Sequence, residues 1–253
     1  MKLLILSDIH GKTEGLSRLQ QAAANADLLV VNGDLTHFGD ADDARRVIAE
    51  LKKLHGTICA VPGNCDDGEV AAVIESEGIS IHRRSFVPPA GQGDQAGAGG
   101  TDDGQLVFYG IGGAMPGPVS TPNEYAEEDL EGYLAEVPST GAGEDGTLLL
   151  VCHQPPHKTV ADRAMKMKHV GSRVLREWMD RTAPLLLLTG HIHESVGSEW
   201  YGETCVVNPG AFKDGRYAEI ELTPAGETGK AEKAGSSAHS AAGYAVEVQL
   251  HSL

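Results

Sequence analysis

The sequence predicts an α/β fold, and three observations carry that expectation. Short apolar runs alternate with helix-like stretches through the first third of the chain. Each of those runs ends in a polar cluster (SDIHG, NGDLTH, PGNCDD), and the C-terminal part is rich in strand-like segments. At 253 residues the chain can bury a sizeable core without disulfides or a structural metal. It shows no internal repeat and no clear linker, so a single domain is expected over 1–253, with flexible insertions near 89–104 and 224–241.

Taken in order, KLLILSD reads as a strand and residues 13–24 as a helix. A strand DLLVVNGD, a helix from about Ala41 to Leu54 and a strand TICAVPGN follow. This βαβαβ rhythm predicts parallel strands buried on both faces. Residues 79–87 and 105–110 read as two further strands, separated by a Gly-, Ala- and Asp-rich surface insertion. Glu124 to Val137 reads as an acidic helix, TLLLVCH as a strand ending in His153, and 171–181 as a helix leading to the strand PLLLLTG. The segments ETCVVNPG, RYAEIEL and YAVEVQL suggest a second sheet, with the polar stretch 224–241 joining the last two as a hairpin connection.

Composition narrows the function classes. Lys and Arg total 20 against 36 Asp and Glu, a formal charge of −16 that repels nucleic-acid polymers and anionic membranes. The apolar runs are too short to cross a bilayer. The N-terminal apolar run is broken at once by Asp8 and His10 and lacks a cleavage site, so it is read as the first buried strand of a cytoplasmic protein. Cys59, Cys65, Cys152 and Cys205 are scattered without a CxxC pair, which predicts free thiols rather than a zinc knuckle.

Five polar clusters stand at predicted strand ends: Asp8 with His10, Gly33-Asp34, Gly63 to Asp66, His153, and Gly190 to His193. Singly, each has a bland explanation, because a strand-end Asp often caps a helix and a lone His often satisfies a core partner. Together, three oxygen-bearing side chains and four imidazoles suit Mn²⁺, Fe²⁺, Zn²⁺ or Co²⁺. In D-x-H the two side chains are expected on the same side of an extended segment. The glycines at 33, 63 and 190 are expected to let the backbone turn sharply. In open α/β sheets ligands collect at the carboxyl ends of strands, where these residues fall.

The ordered motifs resemble the calcineurin-like metallophosphoesterase superfamily over nearly the whole chain. The blocks NGDLTHFGD, PGNCD, GIGGAMPGPVSTPNEY, CHQPPHKT, VGSRVLREWMD, TGHIHES and VNPGAFKDGRYAEI are closest to its small prokaryotic Icc-related members. The resemblance implies a sandwich of two mixed β-sheets flanked by α-helices. It implies that Asp8, His10 and His193 hold one divalent metal, that Asn64, His153 and His191 hold another, and that Asp34 bridges them. A hydroxide shared by two such ions would attack phosphorus in line. The implied activity is hydrolysis of a small-molecule phosphate ester, with a phosphodiester favoured and Mn²⁺ the ion of choice for assay. A non-catalytic metal-binding scaffold of the same fold and a nuclease are the alternatives; the intact ligand set counts against the first and the charge against the second.

One departure stands out. Many members carry His after the Asn of the third motif, where it protonates the leaving oxygen or contacts phosphate; here the residue is Cys65, as in the smaller prokaryotic branch. A thiol is a poor proton donor near neutrality. His37 and His157, just beyond ligand positions, are candidates to supply the missing acid or to hold a phosphate oxygen, against the reading of each as a solvated loop residue, with His169 weaker. His37, Asn64 and Asp66 form the candidate catalytic set, with Asp66 expected to orient a ligand. Asn208 is expected to shape a turn beside the site. Substrate choice is expected to lie in loops 36–40, 112–123 and 154–170.

Overall fold

A computed structural model describes residues 1–89, 105–138, 146–165, 168–225 and 239–253. The strands in chain order are β1 (Lys2–Leu6), β2 (Leu28–Asn32), β3 (Ile58–Val61), β4 (Ser85–Phe86), β5 (Leu106–Ile111), β6 (Thr147–Cys152) and β7 (Arg163–Ala164). They continue with β8 (Lys168–His169), β9 (Leu186–Leu188), β10 (Gly197–Tyr201), β11 (Thr204–Asn208), β12 (Arg216–Pro224), β13 (His239–Ala241) and β14 (Tyr244–Ser252). The α-helices are α1 (Gln20–Asn25), α2 (Ala41–Leu54), α3 (Gly68–Ser76), α4 (Glu127–Ala135) and α5 (Arg173–Thr182).

The strands build two large mixed sheets, in the orders β13-β14-β12-β1-β2-β3 and β10-β11-β9-β6-β5-β4. Within them β1, β2 and β3 run parallel, as do β5, β6, β9 and β11. Alternation along each strand splits the apolar side chains between layers. Leu3, Ile5, Leu28 and Val30 face Phe108, Leu149, Val151 and Leu188 between the sheets. Leu4, Leu6, Leu29 and Val31 pack outward on Val47, Ile48 and Leu51 of α2 and Val70 and Ile74 of α3. Ile111, Leu150, Leu187 and Val206 pack outward on Leu130 of α4 and on Leu175, Trp178 and Met179 of α5. The result is the expected sandwich of two mixed sheets with helices on both outer faces.

Local signals account for the helices. The Asp40 side chain accepts from the backbone N–H groups of Asp42 and Asp43, while Asp43 returns a bond to the Asp40 N–H, so α2 opens on a capping box. Its acidic first turn and basic last turn complement the helix dipole.

Three expectations need correction, and two elements were not anticipated. RYAEIEL and YAVEVQL do not found a second sheet: β12 pairs antiparallel with β1 and β14 with β12, widening the first sheet. Residues 79–87 are not one strand, because Ser80 bridges to Ala60 and His82 to Gly110, so the chain steps from one sheet to the other. The helix expected at 13–24 opens as a 3₁₀ turn, Leu16–Leu19, behind Gly15, which has no side chain to cap it. Helix α3 and strand β10 were not anticipated, although Asp67 caps α3 in a readable way. The insertions expected near 89–104 and 224–241 lie largely outside the described residues, and their described C-terminal end at 239–241 is strand β13.

Candidate metal centre

Every candidate ligand follows the carboxyl end of a parallel strand: Asp8 and His10 after β1, Asp34 after β2, Asn64 after β3, His153 after β6, and His191 and His193 after β9. Strands from both sheets end at the same edge of the sandwich, so the two groups meet there. His153 ties the sheets together directly, its Nδ1 lying 2.8 Å from the Asn32 carbonyl oxygen at the end of β2.

The backbone at this edge is unusual. Asp8, His10, Asp34 and His191 have φ of 55°, 50°, 50° and 65°, in the left-handed region that side-chain-bearing residues avoid. Asp8 and His10 therefore sit in a turn beyond β1 rather than on an extended segment. Each such conformation costs on the order of 1–3 kcal/mol and persists only where surrounding structure imposes it. Here the backbone N–H of Asp8 donates to Gly33 O at 3.0 Å and that of His10 to Asp34 O at 2.9 Å. Gly63 and Gly190 are required for a different reason from the one expected, namely close approach. A Cβ on Gly63 would collide with the Asp34 carboxylate and backbone, and one on Gly190 with the Ser7 hydroxyl.

Asp8, His10, Asp34 and His193 each offer one ligand atom, and these atoms lie within 4.8 Å of one another. His10 Nε2 is 3.3 Å from His193 Nε2 and 3.6 Å from Asp34 Oδ2, while His193 Nε2 is 3.0 Å from Asp8 Oδ1. Beside them Asn64 Oδ1 is 3.1 Å from His153 Nε2 and 2.7 Å from His191 Nδ1, and His153 Nε2 is 3.6 Å from Asp34 Oδ1. Asp34 thus faces both groups, one oxygen toward each.

The electrostatics fit a cation. Burial, followed by the influence of His153, holds the His191 imidazole down at about 4; burial also brings His10 to about 4, against the opposing pull of Asp34 and Asp8. Both rings are neutral at pH 7 and carry lone pairs. Burial raises the proton affinity of Asp8 and Asp34, but His193 and His153 outweigh it and keep both carboxylates ionised. Burial alone would lower His153; Asp34 and then Asp8 overcome it and lift the ring to about 9. A proton on His153 Nε2 does in the metal-free protein what a bound cation would do. His10 Nδ1 is buried with no hydrogen-bond partner among the described residues. The donor set of imidazole nitrogens, carboxylates and one amide oxygen suits two borderline divalent ions.

The surroundings brace this geometry. Asp66 is fully buried, and its carboxylate accepts from the backbone N–H groups of Leu35, Thr36 and Gly63 and from the Thr36 hydroxyl, each at 2.9 Å. It ties the loop that carries Asp34 to the loop that carries Asn64. Asn208 donates to Ile192 O at 3.0 Å and accepts from Gly210 N–H at 2.8 Å, bracing the loop that carries His191 and His193. Sequence reasoning missed Ser7, whose Oγ is 2.5 Å from Asp8 Oδ2, and Asn123, which donates to Gly63 O at 2.9 Å. Ser7 precedes the D-x-H pair and was legible there; Asn123 carried no signal of its own.

The candidates for a missing acid separate. The exposed His37 ring meets the His10 ring edge-on, centroids 5.1 Å apart, and His37, His10 and Cys65 offer atoms within 4.8 Å of one another. His157 instead faces Asp162 at 3.6 Å and His169, which is itself 2.6 Å from Asp162. Burial and then Asp34 push the Cys65 thiol well above its usual range, so it is a neutral neighbour.

The sequence matches the family model for calcineurin-like phosphoesterases over residues 1–195, a span that takes in all seven candidate ligands. The chain belongs to that family. An uncharacterised protein of Methanocaldococcus jannaschii is 35% identical over 213 residues, covering 83% of this chain and 88% of that one. The fold is shared with the protein TT1561 of Thermus thermophilus, at 20% identity and TM-score 0.63, over 86% of this chain and 92% of the other. It is shared also with a dimetal phosphatase of Danio rerio, at 12% identity and TM-score 0.56, over 87% and 92%. As a calcineurin-like phosphoesterase the chain is a metal-dependent phosphoester hydrolase, and among the described residues its Asp and His cluster is one that could hold metal ions. No helix among the described residues is long and apolar enough to cross a membrane.

Proposed function

We propose that the protein is a cytoplasmic phosphodiesterase of small molecules that works at two divalent ions. Asp8, His10 and His193 would hold one ion and Asn64, His153 and His191 the other, with Asp34 facing both groups of residues. The observation that carries this reading is the convergence of Asp8, His10, Asp34 and His193 atoms within 4.8 Å, with Asp34 also facing His153. Bound divalent ions lower the pKa of water and neutralise charge on phosphoryl oxygens. The chain's own residues do the rest. Asp34 and Asn64, fixed by Asp66, orient the centre, and His153, anchored on Asn32 O, keeps its Nε2 turned inward.

His37 hands a proton to the leaving oxygen, standing in space beside Cys65 where the sequence lacks a histidine. The neutral Cys65 thiol offers nothing to the extra negative charge of a monoester, and the chain's −16 charge disfavours dianions. Both features support a diester. The shared fold of the Danio rerio dimetal phosphatase supports the two-ion reading.

The test is hydrolysis of bis(4-nitrophenyl) phosphate and of 4-nitrophenyl phosphate with added Mn²⁺. Diester turnover should exceed monoester turnover, vanish with chelator, and fall by about 10²-fold or more in Asp34→Asn and His153→Ala. Turnover that survives both substitutions would sink the metal mechanism. Stoichiometric metal without turnover of any ester would favour a scaffold.

A further inference from the structure

A cavity of about 450 Å³ opens beside the metal centre, lined at one end by His10 and His37 and extending along α2 past Asp43, Arg46, Ala49 and Glu50. We propose that this cavity seats the non-reacting alcohol of the substrate, and that this alcohol is an uncharged polyol. The inference rests on the phosphodiesterase reading, because a phosphodiester at the centre must place a second ester group somewhere. The cavity shares His10 with the centre, so a phosphodiester held at the centre would have room for its second ester group on that side. Its volume is in the range of small-molecule sites.

The wall chemistry selects the ligand class. Among the described residues lining the cavity, Arg46 is the only Lys or Arg, and its guanidinium is paired with the Asp43 carboxylate. Asp43 is further engaged in the α2 cap, and Glu50 is paired with Lys53 at 2.6 Å. A second anionic group would therefore find no uncommitted cation there. An apolar group would strip water from charged side chains and give no hydrogen bond in return. Hydroxyl groups suit this wall, since they donate to the spare carboxylate lone pairs of Glu50 and Asp43 and accept from the remaining guanidinium N–H groups of Arg46.

The experiment compares four 4-nitrophenyl phosphodiesters on the Mn²⁺-loaded protein, with methyl, hexyl, 3-carboxypropyl and methylglucosid-6-yl as the second ester group. All release the same phenolate, so differences report the second group alone. The sugar ester should exceed the methyl ester in kcat/KM by about tenfold, through KM, with the hexyl and carboxypropyl esters near the methyl value. Ala49→Trp, a substitution at an exposed helix position that fills the cavity, and Arg46→Ala should each bring the sugar ester down toward the methyl ester. Independently of turnover, methylglucosid-6-yl methyl phosphate added to the metal-free protein should shift the amide resonances of residues 41–50, while dimethyl phosphate should not. Methyl-ester turnover without sugar preference, a carboxypropyl preference, or a preference untouched by Ala49→Trp would overturn the cavity's assignment and leave the phosphodiesterase reading standing. Absence of turnover on every ester would remove that reading, and the polyol proposal with it.

Discussion

The exposed His37 ring stands edge-on to the His10 ring at 5.1 Å, with its ligand atom within 4.8 Å of the buried Cys65 sulfur. A motif that lacks its usual histidine thus has an imidazole beside it in space, supplied by the loop after β2 rather than the loop after β3. His37→Ala should lower turnover of esters with poor leaving groups by about 10²-fold and spare 4-nitrophenyl esters, whose leaving group needs no proton. Paired rate measurements on alkyl and aryl diesters check this. Equal losses on both would remove His37 from the proton transfer. Cys65→His should raise monoester turnover.

Ser7 lies 2.5 Å from Asp8 Oδ2 and 2.8 Å from Asn32 O, locking the carboxylate before any ion arrives. Ser7→Ala should weaken metal affinity by about 10–100-fold with little change in melting temperature. Isothermal titration with Mn²⁺ reads the effect.

The metal-free protein should be pH-sensitive through His153. Its proton affinity is raised from the ordinary 6.5 to about 9 by Asp34 and Asp8 against the opposing effect of burial. A raised folded-state value stabilises fully below the unfolded value, so this contribution is present below pH 6.5 and lost as pH rises through about 9. The melting temperature of the chelated protein should fall across that window, and His153→Gln should flatten the fall. Because an ion displaces the same proton, metal affinity should rise with pH over the same range.

Gly132 lies inside α4 with open space where a Cβ would be. Gly132→Ala should stabilise the protein by about 0.5–1 kcal/mol. Gly63→Ala should instead abolish metal retention, because the added carbon would meet Asp34. Thermal melts and metal content measured on both variants separate the two roles of glycine.

The sequence made the strand-end positions of the candidate ligands legible while hiding parts of the fold around them. Asp8, Asp34, Asn64 and His153 each sit at the end of a short apolar run, so a local pattern put them at strand ends, while their grouping as ligands came from the resemblance. The pairing of β12 with β1 joins residues more than two hundred positions apart, and no local signal reports it. The step of residues 79–87 between sheets was hidden because single bridges at Ser80 and His82 leave the same apolar pattern as a strand. The left-handed turns at Asp8 and His10 were hidden too, since side-chain alternation presumes an extended backbone that these residues do not adopt.

The measurement closest to the central claim is metal content by mass spectrometry on Mn²⁺-loaded, desalted protein, wild type beside Asp34→Asn. With Asp34 placed between the two groups of ligands, the wild type should retain two ions per chain and the variant fewer than one. Equal metal content in the two proteins, or none in the wild type, would contradict the account.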